Sequence, residues 1–249
     1  MPQNYVKQVL AKYAVNPQLA AKYHSFFTPY ISEWANQYLV ELKVSGSSRK
    51  GTAVANGTDV DLFISLTSTT PVALKEIYDS LFSYMQKQGF DVRKQNVSIG
   101  VNYNSCQIDL VPAKRQSQYG NDHSLYVRKK DSWTKTNIDI HATEVIKSNR
   151  LDEIKLTKIW RNQNNLDFPS FYLELLVIDA LKYSIIGDTA NNFLKVLSFI
   201  SASIESTTYM DPANTNNCIS DQISVSEKRK IASIATKSKD QQYWKDIVS

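Results

Sequence analysis

The sequence predicts an α+β fold in which a core built on a mixed β-sheet is followed by an all-helical lobe, with a cleft between the two halves. Three observations carry this. Apolar side chains recur at helical spacing in the first forty residues and again after about residue 138. Between these stretches the apolar period falls to two, as in half-buried strands. Three aspartates, Asp59, Asp61 and Asp109, lie on those apolar strands, where packing alone gives no reason for them.

Taken in order, residues 1–39 read as N-terminal bracing helices. Pro17 suits a helix start, and Ala21, Tyr23, Phe26, Phe27, Tyr30, Ile31, Trp34, Tyr38 and Leu39 form an aromatic stripe for the core. The run Glu41-Leu42-Lys43-Val44 alternates as a strand and stops at Gly46. Val60, Leu62 and Ile64 share one face of a second strand, leaving Asp59, Asp61 and Phe63 on the other. Residues 72–88 have helical spacing and end at Gly89. Short strands are expected at 90–92, 97–103 and 106–111. Helices are expected at 138–149, 151–165, 169–186, 190–205 and 224–247, with Asp152, Glu153 and Asp167 placed near their N-termini. The domains so read are 1–39, a core at 40–137 and a helical lobe at 138–249.

Bulk properties narrow the function less. Twenty-nine basic against twenty-four acidic residues leave a net charge of +5, a mild bias toward polyanions. Arg128-Lys129-Lys130 and Lys228-Arg229-Lys230 read as solvated faces, whereas Arg49-Lys50 adjoins the glycine-serine turn discussed below. With no apolar run of membrane-spanning length and no charged-then-apolar leader, a cytoplasmic protein with no membrane partner is expected; a monomer is expected as well. Cys106 and Cys218 are too few for a zinc framework and read as reduced core residues. His24, His123 and His141 show no ligand spacing. Tyr103, Tyr126 and Trp133 are candidates for stacking a base, against a background of fourteen tyrosines.

The aspartates carry the chemistry. Asp59 and Asp61 are two apart on a strand, so their side chains share a face, and a strand bearing Asp109 can pair beside them. Three carboxylates so close repel one another unless cations join them. Two magnesium ions, or manganese in their place, would relieve that repulsion and stabilise an in-line displacement at phosphorus. Gly46 permits close approach of backbone N–H groups to an anion, Ser47 adds a hydroxyl, and Lys50, Gly51 and Thr52 shape the turn. If a short helix begins at Ser48, its N-terminus also points at phosphate. The alternative is an ordinary loop followed by an ordinary acidic turn.

The strings GSSRKGTAVANGTDVDLFISL and QIDLVPA resemble the signature of the DNA polymerase β-type nucleotidyltransferase superfamily. Lys158-Ile159-Trp160 and the run from Pro169-Ser170-Phe171 to Leu176 resemble helices that follow the core in oligoadenylate synthases, archaeal CCA-adding enzymes and bacterial cGAS/DncV-like nucleotidyltransferases (CD-NTases). Asp211-Pro212-Ala213-Asn214, with Asn216 and Asn217, resembles a late loop of these chains, read here as a turn that starts a helix. The resemblance implies that Asp59, Asp61 and Asp109 hold the metals and that Gly46, Ser47 and Lys50 bind the triphosphate. Lys158 and Ser170 would reach its outer phosphates. Snorkelling from a helix and starting a helix are the plainer roles for those two, and Glu174 reads as structural. Where the family pattern often has a proline two residues before His141, this chain has Asp139. The compact chain is most similar to CD-NTases, which implies joining of nucleoside triphosphates into a cyclic oligonucleotide signal, with pyrophosphate released, in antiphage (CBASS) defence. A partner protein acting as activator or effector fits that setting, and nucleic acid is not required. Transfer to an RNA 3′ end or a protein acceptor, or a non-catalytic nucleotide-binding module, are the other readings.

Overall fold

The structure is a computed structural model and describes residues 2–55 and 59–249. Two compact units emerge. One holds the chain up to Val15, a segment starting at Gly51 and everything from Thr143 to Ser249; the other holds Asn16–Lys50 and the chain that runs on to Ala142. Of the stretch read as N-terminal bracing helices, α1 (Pro2–Lys12) falls in the helical unit and α2 (Leu19–Ala35) in the sheet unit.

The sheet unit continues with β1 (Leu39–Val44), α3 (Gly46–Lys50), β2 (Val60–Leu66), α4 (Leu74–Lys87), β3 (Asp91–Lys94), β4 (Ile99–Tyr103), β5 (Cys106–Arg115), β6 (His123–Val127) and β7 (Ser132–Thr136). These make a seven-stranded sheet in the order β1-β2-β5-β4-β3, with β6 joining β5 and β7 joining β6. Among the described residues of this sheet, only the central β2–β5 pair is parallel. Every residue of β2 except Asp61 is buried, as expected of a strand covered on both faces. On one face Leu62, Ile64, Leu110 and Val101 pack under Tyr23, Phe27 and Ile31 of α2 and Ile77, Leu81 and Met85 of α4. The four-residue spacing of Tyr23, Phe27, Ile31 and Ala35 keeps them on one stripe of α2. Asp61 and Phe63 alternate onto the opposite face, where Phe63, Ala113 and Leu125 form a small apolar cluster.

Pro112 sits within β5, where a proline is normally excluded from central strands. Its position explains the tolerance. The β4 pairing runs only as far as Leu110, and β6 joins only at Lys114, so Pro112 lies in the gap between two neighbours. The β6–β7 hairpin was not among the expected strands, and the basic run Arg128-Lys129-Lys130 forms its exposed connection.

In the helical unit, α5 (Ile138–Lys147) crosses from the sheet unit, and α6 (Leu151–Gln163), α7 (Ser170–Ala180), α8 (Thr189–Ser203), α9 (Val225–Lys239) and α10 (Trp244–Ile247) follow. Val6, Trp160, Tyr172, Leu173, Phe193 and Val196 belong to its core. The single helix expected over 224–247 breaks after Lys239. Its start is fixed by a capping box: Ser224 Oγ accepts from Glu227 N at 3.2 Å, and Ser224 N donates to Glu227 Oε2 at 2.7 Å. The loop at Asp211 turns between β8 (Met210–Asp211) and β9 (Asn214–Cys218) rather than starting a helix, because Asp211 Oδ1 accepts from Ala213 N at 2.9 Å and holds the turn. Cys106 and Cys218 are half-buried free thiols, less enclosed than core residues. No helix among the described residues is long and apolar enough to cross a membrane.

Candidate active site

The parallel pairing of β2 with β5 sets Asp61 directly opposite Asp109. Residues paired in this way point to the same face, so the two carboxylates are neighbours across one strand spacing, about 4.8 Å. Asp59 has the same parity as Asp61 and lies just before the strand. Burial pushes the Asp109 carboxyl above the ordinary carboxylate range, against the lowering effect of hydrogen bonds from Gln107, Gln95 and Ser98. Asp59 keeps exposed surface, yet partial desolvation pushes its carboxyl upward, the charge of Asp109 adds to the rise and that of Arg93 opposes it.

The glycine-serine turn is bonded to this strand. Ser45 N donates to the Asp61 carbonyl at 2.8 Å, which brings Gly46 beside the Asp61 side chain. Gly46 has φ +57, and a Cβ built there would lie 1.7 Å from Asp61 Oδ2. Only glycine allows both that conformation and that approach. The turn opens α3, five residues long, starting at Gly46 rather than Ser48. Ser47 is half-buried and Lys50 is buried. The Asn56-Gly57-Thr58 stretch of the string that joins this turn to Asp59 lies outside the described residues.

Hard carboxylate oxygens on one face, two of them desolvated, suit magnesium or manganese. Among the described residues, however, no three His, Cys, Asp or Glu side chains are arranged as a ready metal cage. The donor chemistry fits a divalent cation, while Asp109 is tied to neutral donors and Asp61 rests against Gly46.

Lys158 and Ser170 belong to the helical unit and have partners there. Lys158 is buried, and its Nζ lies 2.7 Å from Glu174 Oε1, 2.9 Å from Thr52 Oγ1 and 3.3 Å from the Thr52 carbonyl. Glu174 Oε1 also accepts from Thr52 Oγ1 at 2.8 Å. Two of the contacts of Glu174 are thus with side chains, Lys158 and Thr52. Ser170 Oγ accepts from Arg161 Nη1 at 3.1 Å. Sequence reasoning missed the Lys158–Glu174 pairing, for which no local pattern exists. It also missed the Arg49–Asp139 ion pair, to which Asn121 Nδ2 adds a hydrogen bond at 2.9 Å. Asp139 thus has a partner of its own where the family pattern often has proline.

Several of the remaining candidates have partners within the sheet unit. His123 donates from Nδ1 to the Asn121 carbonyl at 2.8 Å, and its Nε2 lies 2.8 Å from Ser65 Oγ; burial lowers its pKa. His24 Nε2 donates to the Leu42 carbonyl at 2.8 Å. Tyr103 stacks on Phe26 with ring centroids 4.4 Å apart, and Tyr126 donates to Asp131. Trp133 remains 60% exposed, which leaves its face open.

No family model and no curated protein matches the sequence. Solved structures do. The chain is similar to the Bradyrhizobium diazoefficiens CD-NTase CdnG in complex with GTP, at 12% identity and TM-score 0.76, over 98% of this chain and 94% of that one. It is similar to the Vibrio cholerae cyclic AMP-GMP synthase DncV bound to a linear intermediate, at 12% identity and TM-score 0.65, over 99% and 83%. It is also similar to the Cid1 poly(U) polymerase bound to MgATP, at 12% identity and TM-score 0.69, over 99% and 98%. The fold is that of the polymerase β-like nucleotidyltransferases, with CD-NTases among its neighbours.

Proposed function

We propose that the chain is a magnesium-dependent nucleotidyltransferase that joins nucleoside triphosphates into a cyclic oligonucleotide. The observation that carries the transferase reading is the register of Asp61 with Asp109 beside the Gly46 turn. Asp59, Asp61 and Asp109 would hold the metal, and the turn at Gly46 and Ser47, with Lys50, would cradle the triphosphate. Magnesium bound there supplies Lewis acidity at the reacting phosphate. In the reaction a nucleotide hydroxyl oxygen bonds to an α-phosphorus, the bridge to the β-phosphate breaks and pyrophosphate leaves. Asp109 would be the carboxylate beside the attacking hydroxyl and would accept its proton. Lys158 is better assigned to holding Thr52 than to phosphate, since its ammonium contacts Thr52 and Glu174. Cyclisation is supported by the motif resemblance and by structural neighbours such as DncV, a cyclic AMP-GMP synthase; a place in antiphage signalling rests on the motif resemblance alone.

A second reading keeps the chemistry and changes the acceptor. The likeness to a poly(U) polymerase favours addition to an RNA 3′ end. Labelled ATP, GTP, CTP and UTP, supplied with magnesium and then treated with phosphatase, separate the two. A phosphatase-resistant small product formed without RNA supports cyclisation. Label that enters only added RNA supports tailing and refutes cyclisation.

A further inference from the structure

Asp109 is held by an unusual set of neighbours. Gln95 Nε2 donates to its Oδ1 at 2.8 Å, and Gln107 Nε2 donates to the same oxygen at 3.2 Å. The contact to Oδ2 is weaker, with Ser98 Oγ at 3.4 Å. Ser98 has one hydroxyl proton, and Gln95 Oε1 lies closer to it at 3.0 Å. One carboxylate oxygen is therefore occupied by two amides, while the other keeps most of its acceptor capacity.

The sheet makes room for this cradle. Asp61, Asp109, Gly100 and Arg93 stand side by side across β2, β5, β4 and β3. Gly100 leaves an empty place in that row, and a Cβ there would lie 2.6 Å from Nε2 of both Gln95 and Gln107. The two amides fill the space that any side chain at position 100 would take. Gln95 belongs to the turn between β3 and β4, which is anchored from behind. The Gln95 carbonyl accepts from Tyr78 Oη at 2.7 Å and Arg128 Nε at 2.9 Å, and the Ser98 carbonyl lies 3.2 Å from the same Tyr78 hydroxyl. Tyr78 is almost fully buried in α4. This chain of contacts runs from the core to one oxygen of one carboxylate.

We infer that Gln95 and Gln107 are positioning residues that commit Asp109 to bind a divalent cation through Oδ2 alone. The inference rests on reading Asp109 as a carboxylate of the metal site. Neutral amides suit that role because they fix the carboxylate without cancelling its charge, as a lysine would, and without adding to the repulsion, as an acid would.

The test titrates Mn2+ alone into the full chain, reading the free ion by electron paramagnetic resonance, for the wild type, Gln95→Met and Gln107→Met. Methionine keeps the length of the side chain and removes its donors. Each variant is expected to bind Mn2+ about 10–100-fold more weakly. The Mn2+ concentration for half-maximal turnover should rise in step, while the rate at saturating metal recovers. Gln95→Asn retains a polar amide but falls short of Asp109, so it serves if the methionine variants do not fold, and the same loss is expected. Unchanged or tighter Mn2+ binding in folded variants would overturn the inference, since the amides would then only satisfy or restrain a buried acid. A wild type that binds no Mn2+ would overturn the metal-site reading itself, and the cradle with it.

Discussion

At the scale of single residues, two positions concentrate the structural demands. Gly46 has a left-handed conformation and sits against Asp61 Oδ2. Gly46→Ala adds a strain of about 1–2 kcal/mol and displaces the carboxylate. Pyrophosphate release should fall at least tenfold while the protein stays folded by circular dichroism; unaltered turnover would show that the approach to Asp61 is incidental. Lys158 and Glu174 form a buried pair, with side chains 3% and 0% exposed. Glu174→Ala strands the ammonium and is expected to cost about 3–5 kcal/mol in urea unfolding, whereas Lys158→Met combined with Glu174→Leu should cost much less. Equal losses would mean that the pair stabilises in its own right. The first of these positions was legible in the sequence, because a glycine at a strand exit before an acidic strand states its own backbone requirement. The second was not, because the contact joins neighbouring helices through packing that spacing does not encode.

At the scale of elements, β2 and α2 were legible because their patterns are pure. Alternation in β2 separates Leu62 and Ile64 from Asp61 and Phe63, and the four-residue recurrence in α2 places Phe27 and Ile31 at full burial. Phe27→Ala should therefore cost about 3–5 kcal/mol, measured by denaturant unfolding, without altering β2–β5 pairing. A loss under about 1 kcal/mol would mean that this helix does not seal the sheet. The β6–β7 hairpin escaped because its connection is basic and carries no glycine; Asp131 takes the left-handed position instead, at φ 43. The end of α7 was misjudged for a different reason. Apolar residues continue through Tyr183, Ile185 and Ile186, but these are exposed, and the helix stops at Ala180. Buried Arg150 captures the carbonyls beyond it, donating to Leu181 at 2.9 Å, to Ile185 at 3.1 Å and to Ser184. A distant guanidinium ends the helix, and no local pattern announces it.

At the scale of the whole molecule, stability should depend on metal and pH. Asp59 and Asp109 have carboxyls raised by burial, so the unfolded chain sheds these protons at lower pH than the folded one. In chelator, this contribution favours the fold at low pH and is lost as pH rises from the ordinary carboxylate range, about 4, through the raised values. Asp109→Asn should flatten that part of the Tm-against-pH curve, and magnesium should raise the Tm of the wild type more than that of the variant. Parallel curves would show that the acids carry no such cost. The most direct test of nucleotidyl transfer at the aspartates is pyrophosphate release from the four nucleoside triphosphates together with magnesium, comparing the wild type with the Asp59→Ala, Asp61→Ala double variant. Release by the wild type and none by the folded variant is the expected result. Equal release by both, or none by the wild type with or without RNA, would contradict the assignment.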